Sequence, residues 1–151
     1  MLPIPRILAD LVRLPSVNPM GRSADGAIFF EERVTDYLEQ FFRDASLPCE
    51  RQTVAPRRDN IVATFEPAEP TRTLLWEVHQ DTVPVDAMTI DPFGGEVRDG
   101  TLSGRGACDV KGGMAAMLTA FARVVREKPA GAANVVLACT VDEVHTFLGV
   151  Q

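Results

Sequence analysis

The chain has 151 residues, 46% of them hydrophobic and 24% charged, enough for one domain with one core and wrong for a disordered tail, a fibre or a disulfide miniprotein. Its formal charge of −6 argues against a general nucleic-acid or anionic-membrane surface. Three cysteines, Cys49, Cys108 and Cys139, with no Cys-x-x-Cys pair, argue against a disulfide framework or a thiolate zinc knuckle and make a reducing cytoplasm the default.

Residues 4–14 read as a short amphipathic helix, with Ile4, Ile7, Leu8, Leu11 and Val12 at helical spacing. The first residues lack the basic and apolar runs of a secretory signal, and no apolar run approaches a membrane span. Ser16 to Gly21 is loop chemistry after Pro15. A second helix is predicted over 27–45, its stripe being Phe30, Val34, Tyr37, Leu38, Phe41 and Phe42. The period then changes to that of strands over 49–54 and 60–65, with a turn at 66–72. Thr73 to His79 reads as a strand buried on both faces. A long loop with several Pro and Gly follows, and then a hairpin over 96–103 turning at Asp99-Gly100, a pair suited to a type I′ turn. Residues 110–128 form the clearest helix, striped by Met114, Met117, Leu118, Phe121, Val124 and Val125, and Asn134 to Thr140 is a second buried strand. There is no internal repeat or linker.

The order strand, hairpin, helix, strand implies a βαβ-like crossover and a parallel strand pair. Sites in open α/β sheets form beyond the carboxyl ends of such strands. His79 ends one strand, Asp142 and Glu143 follow the other, and Asp109 opens the crossover helix, so all four are expected at one edge. Each has an ordinary explanation when taken alone. An isolated His-x-Asp, such as His79-Gln80-Asp81, is usually a histidine satisfied by backbone, although Asp81 could reach the second ring nitrogen and improve a metal ligand. Asp109 would ordinarily be an N-cap. The acidic pair could open a loop, or one carboxylate could activate a metal-bound water. Lys111 reads as solvated or ion-paired, and Arg105 as a carboxylate clamp or a surface residue. His145 reads as exposed and Cys108 as a small buried residue rather than a nucleophile.

Together these segments resemble the N-terminal part of a zinc metallohydrolase family that includes acetylornithine deacetylase, succinyl-diaminopimelate desuccinylase and glutamate carboxypeptidase. Four blocks carry the resemblance: Leu14-Pro15-Ser16-Val17-Asn18-Pro19; His79-Gln80-Asp81-Thr82-Val83-Pro84 followed by Asp91-Pro92-Phe93; Asp99 to Gly113, the most specific; and Thr140-Val141-Asp142-Glu143. The resemblance implies an α/β fold, the three-layer αβα catalytic domain of zinc hydrolases, of which residues 1–151 would be the N-terminal portion, without the lid domain or the C-terminal part. It implies two zinc ions, or Co2+ or Mn2+ in their place. His79 would be a metal ligand, Asp109 a ligand bridging both metals, Asp81 the residue that orients His79, and Glu143 the general base. The implied reaction is hydrolysis of an amide in a small N-acyl amino acid, with acetylornithine deacetylase-like wording closest. The acidic charge leaves no nucleic-acid or membrane partner expected, and a homodimer stays open for the full-length protein.

Two departures stand out. The family follows its base with a second, metal-binding glutamate, whereas this chain has Val144, which has no donor atom. The family's remaining ligands lie further along than Gln151, so the chain reads as a fragment that is inactive by itself. Three other readings compete: a metallopeptidase of the same family, a degenerate member that binds without catalysis, and a nucleotide-binding α/β domain. The last is weakened because Gly104-Arg105-Gly106 lacks the third glycine of the dinucleotide fingerprint.

Overall fold

A computed structural model describes residues 3–67 and 72–151. Its elements are α1 (Ile4–Val12), α2 (Glu32–Asp44), β1 (Cys49–Ala55), β2 (Arg58–Phe65), β3 (Thr73–His79), β4 (Glu96–Arg98), β5 (Thr101–Ser103), α3 (Lys111–Glu127) and β6 (Asn134–Thr140), followed by a 3-10 turn at Leu148–Val150. The fold is mixed α/β, as expected. The turn expected at 66–72 falls mostly outside the described residues.

The four-stranded sheet has the order β1-β2-β6-β3. β3 and β6 run parallel, with His79 opposite Thr140, so both strands end at the same level. This is the crossover pair that the element order implies. β2 runs antiparallel to β6, pairing Ile61 with Cys139. The start of β2 therefore lies beside the chain as it leaves β6. The hairpin β4–β5 turns at Asp99 (φ 51°) and Gly100 (φ 77°), and two positive φ angles in a row fit a type I′ turn.

All three helices contribute to one core. Ile7 and Leu11 of α1, Val34, Leu38 and Phe42 of α2, and Met114, Leu118 and Phe121 of α3 pack with Ile61, Ala63, Leu137 and Cys139 of the sheet. Alternation along β6 sends Val135, Leu137 and Cys139 into this core, while Val136 and Ala138 on the other face are only half-buried. β3 is not buried on both faces as expected: it is the edge strand of the sheet, Leu75 is 63% exposed, and only Val78 and His79 at its end are buried. The described residues thus supply a sheet and one helical layer. No helix among them is long and apolar enough to cross a membrane.

The second helix differs from the expectation. It begins at Glu32, not at residue 27. Gly26 and Phe30 have positive φ (123° and 67°), and Phe29 forms a parallel bridge with Val17, so 27–31 is tied to another segment rather than coiled. Phe30 leaves the apolar stripe, and its ring lies under the guanidinium groups of Arg57 and Arg58 at 5.1 and 5.5 Å. Two smaller expectations also change. Cys108 is exposed rather than buried. Lys111 is buried, and its ammonium donates to the carbonyls of Leu11 (3.0 Å) and Leu14 (2.7 Å), closing the end of α1.

The glycine before Arg105 is required by packing. Gly104 has φ 151°, and a Cβ there would lie 2.4 Å from Val12 Cγ1 and 3.0 Å from the Pro92 carbonyl oxygen. Gly104→Ala is expected to cost ~1–3 kcal/mol through forced displacement of α1, read as a lower urea midpoint. An unchanged midpoint would show that α1 moves aside freely.

Candidate metal and catalytic site

The site lies where β3 and β6 end. The first loop, residues 16–18, runs along the chain leaving β3: Thr82 N donates to Ser16 O (2.9 Å) and Asn18 N to Thr82 O (2.8 Å). This places the first sequence block against the second. Ser16 Oγ adds a bond to the Gln80 carbonyl (2.7 Å).

His79 is buried, and its Nδ1 lies 3.0 Å from the backbone oxygen of Asp81. A carbonyl oxygen only accepts, so Nδ1 carries the proton and Nε2 faces outward. Nε2 is 3.2 Å from Asp109 Oδ1 and 3.6 Å from Glu143 Oε2. His79, Asp109 and Glu143 therefore come together at one sheet edge, as their placement implied. Asp109 is not the N-cap of α3: Val110 holds that position with no side-chain cap. Its carboxylate is instead 82% exposed and turned toward His79.

Burial alone would lower the His79 pKa. The hydrogen bond and charge of Asp81, with a further contribution from Glu143, overcome that and hold it at about 9. A neutral imidazole in this tautomer would aim a lone pair at two carboxylates. The arrangement suits a cation, either the ring proton or a metal ion, between them. One nitrogen and one open carboxylate match the donor chemistry of zinc and similar metals. Among the described residues, no group of three or more His, Cys, Asp or Glu side chains is set to hold a metal ion. His79 and Asp109 would be two donors, fewer than the three that a catalytic zinc ordinarily takes.

Asp81 does more than face His79. Its carboxylate is 3.5 Å from Nδ1, further than its own carbonyl. Its nearer partners are Asn18 Nδ2 (2.8 Å) and the backbone amides of Glu143 (3.1 Å) and Val144 (3.2 Å). Burial raises the carboxyl, but His79 and Asn18 outweigh it and hold its pKa below the usual range.

Beneath these residues is a polar cluster that sequence reasoning missed. Arg58 pairs with Glu31 through two bonds (3.0 and 2.6 Å) and with Asp142 (2.7 Å). All three side chains are buried or nearly so. Desolvation raises the Glu31 pKa despite Arg58. Asp142 is lowered: burial opposes this, but Thr146, Asn18 and Arg58 prevail. Asp142 sits at φ 63°, a left-handed conformation that Asp tolerates better than most residues. The antiparallel register of β2 against β6 is what delivers Arg58 to Asp142. His145 is exposed, as read, and Arg105 donates to the Pro84 carbonyl (2.9 Å) rather than to a carboxylate.

The sequence pattern of peptidase family M20/M25/M40 matches residues 75–147. A succinyl-diaminopimelate desuccinylase from Cereibacter sphaeroides is 40% identical over 142 residues, which is 91% of this chain and 34% of the relative. The chain belongs to this family. It spans about a third of the length of the curated relatives it matches. Among solved structures, an M20 family metallo-carboxypeptidase from Sulfolobus solfataricus superimposes with a TM-score of 0.76 at 22% identity, over 93% of this chain and 31% of its own. A dinuclear metal-binding M20 peptidase from Bacillus subtilis does so with a TM-score of 0.61 at 16% identity, over 90% of this chain and 34% of its own. These two likenesses are in fold. The M20 relatives place the chain in the metallohydrolase family that the four motif blocks resemble.

Proposed function

We propose that the chain is part of a metal-dependent hydrolase that cleaves the amide of a small N-acyl amino acid. The observation that carries this is the convergence of the Asp109 and Glu143 carboxylates on Nε2 of His79, whose other nitrogen is committed as a donor. The sequence wording favours an acetylornithine deacetylase-like substrate. The named function of the 40% identical relatives favours a succinyl group, and we adopt N-succinyl amino acids as the first substrates to test. The work would be cytoplasmic and on a small molecule.

His79 and Asp109 would hold the metal, zinc being the first candidate. A divalent metal held there supplies Lewis acidity, lowering the pKa of water toward about 7 and polarising the amide carbonyl. Glu143, half-buried and adjacent, takes a proton from the attacking water and delivers it to the departing amine. Asp81 fixes the ring of His79 through its carbonyl and the place of Glu143 through its carboxylate.

A second reading, a member that binds without turnover, is favoured by Val144. The test compares the full-length protein with its Val144→Glu form for zinc content and hydrolysis of an N-succinyl amino acid. Changes in groups around a metal site cost about 10–100-fold in affinity or activity, so restoring a donor is expected to raise turnover by at least about that and to bring zinc content toward full occupancy. Equal occupancy and equal rates would show that position 144 is not a ligand position. No zinc uptake and no hydrolysis in either form would sink the hydrolase proposal.

A further inference from the structure

The segment that carries Glu143 is held by side chains rather than by secondary structure. Four consecutive backbone amides each meet an acceptor from elsewhere in the chain. Val141 N donates to Asn60 Oδ1 (3.0 Å), Asp142 N to Glu31 Oε1 (3.3 Å), Glu143 N to Asp81 Oδ1 (3.1 Å) and Val144 N to Asp81 Oδ2 (3.2 Å). These acceptors come from β2, from the residue before α2 and from the chain leaving β3.

The carboxylate of Asp81 and that of Asp142, which the segment itself carries, are buried side by side and would repel. Asn18 separates them. It is fully buried, and its Nδ2 donates to Asp81 Oδ2 and to Asp142 Oδ1, both at 2.8 Å. Its Oδ1 accepts from the Met20 amide (2.9 Å), which fixes the orientation of the side chain. An amide NH2 is the group that can serve two acceptors at once while adding no charge of its own. Arg58 then neutralises Asp142 through the same oxygen, Oδ1.

We infer that Asn18 is a positioning residue for Glu143: by bonding both carboxylates it holds Asp81 in the one arrangement that catches the amides of Glu143 and Val144. It touches no substrate and acts only through that segment. The assignment of Glu143 as the base rests on the proposed function above, but the clamp itself does not.

The test uses the intact protein and three variants. Asn18→Ala removes both donors, Asn18→Ser keeps one hydroxyl donor, and Phe121→Leu weakens the core far from the segment. Hydrogen exchange is followed at the amides of Glu143 and Val144, with kcat and KM measured alongside. Loss of a surrounding positioning group predicts a fall in kcat of about 10–100-fold with KM near its original value. The two amides should lose protection at least tenfold beyond the global change in Asn18→Ala, less in Asn18→Ser, and only with the global change in Phe121→Leu. Protection that tracks global stability in all three variants would overturn the clamp. If Asn18→Ala does not fold, Asn18→Ser against Phe121→Leu decides alone. Local loss of protection in a protein that hydrolyses nothing would support the clamp and remove the hydrolase proposal instead.

Discussion

Arg58→Met is expected to lower unfolding free energy by ~3–5 kcal/mol, because it leaves Glu31 and Asp142 as buried carboxylates with no counter-charge. Methionine fills most of the volume, so the loss reports charge rather than a cavity. The effect has a defined pH dependence. The lowered Asp142 pKa means that its contribution is present above its ordinary value and is lost as pH falls through the folded value. Glu31 has the opposite sign: its raised pKa penalises folding at neutral pH, and acid relieves this. Removing Arg58 weakens the first and deepens the second. The gap between the two proteins should therefore narrow as pH falls from neutral into the carboxylate range. Urea unfolding at a series of pH values measures it. A neutral-pH loss under about 1 kcal/mol, the size of an exposed pair, would mean that water already solvates the cluster. Arg123→Met, on an exposed face of α3, should change little.

The largest functional effect is expected at the strand ends. His79→Ala and Asp109→Ala should each abolish hydrolysis in the full-length protein and reduce bound zinc, since each removes a donor for which no neighbour substitutes. Cys108→Ala should keep most activity. The thiol is exposed and adjacent to Asp109, but the one histidine nearby has Nδ1 on a carbonyl and Nε2 toward carboxylates, so no base activates it. Zinc content and turnover of an N-succinyl amino acid are read together. Full activity without His79, or none without Cys108 while zinc is retained, would reverse the assignment of a water nucleophile.

How much of this was legible in the sequence depends on the kind of signal each element carries. The two apolar strand runs and α3 are found within a few residues of their expected bounds, but only β6 is well buried; β3 has the composition of a buried strand and lies at the sheet edge, exposed over most of its length. His79, Asp109 and Glu143 were found because strand ends and a helix start are topological landmarks. The start of α2 was misread because Phe30 has the right spacing for a helical stripe, and only the pairing of Phe29 with Val17 removes it. Glu31, Arg58 and Asn60 left almost no trace, and Asn18 stood in the first motif block with no role attached to it. Each looks like ordinary loop or surface polarity, and their meaning comes from partners 27 to 124 residues away. Lys111 was obscure for the same reason: its partners are a carbonyl in the last turn of α1 and one just past its end, about a hundred residues away.

The amides of residues 141–144 meet acceptors from residues 62 to 111 positions earlier in the chain. No local nucleus can build such a structure; its loop-closure entropy must be met by the docking of several distant pieces. During synthesis every acceptor emerges from the ribosome long before the segment that needs it. Glu31, Asn60 and Asp81 stay hydrated until β6 pairs with β2 and β3. The segment that carries Glu143 is thus expected to order late in folding and to open early in unfolding, so damage to it should hasten the loss of the native state more than it slows its formation.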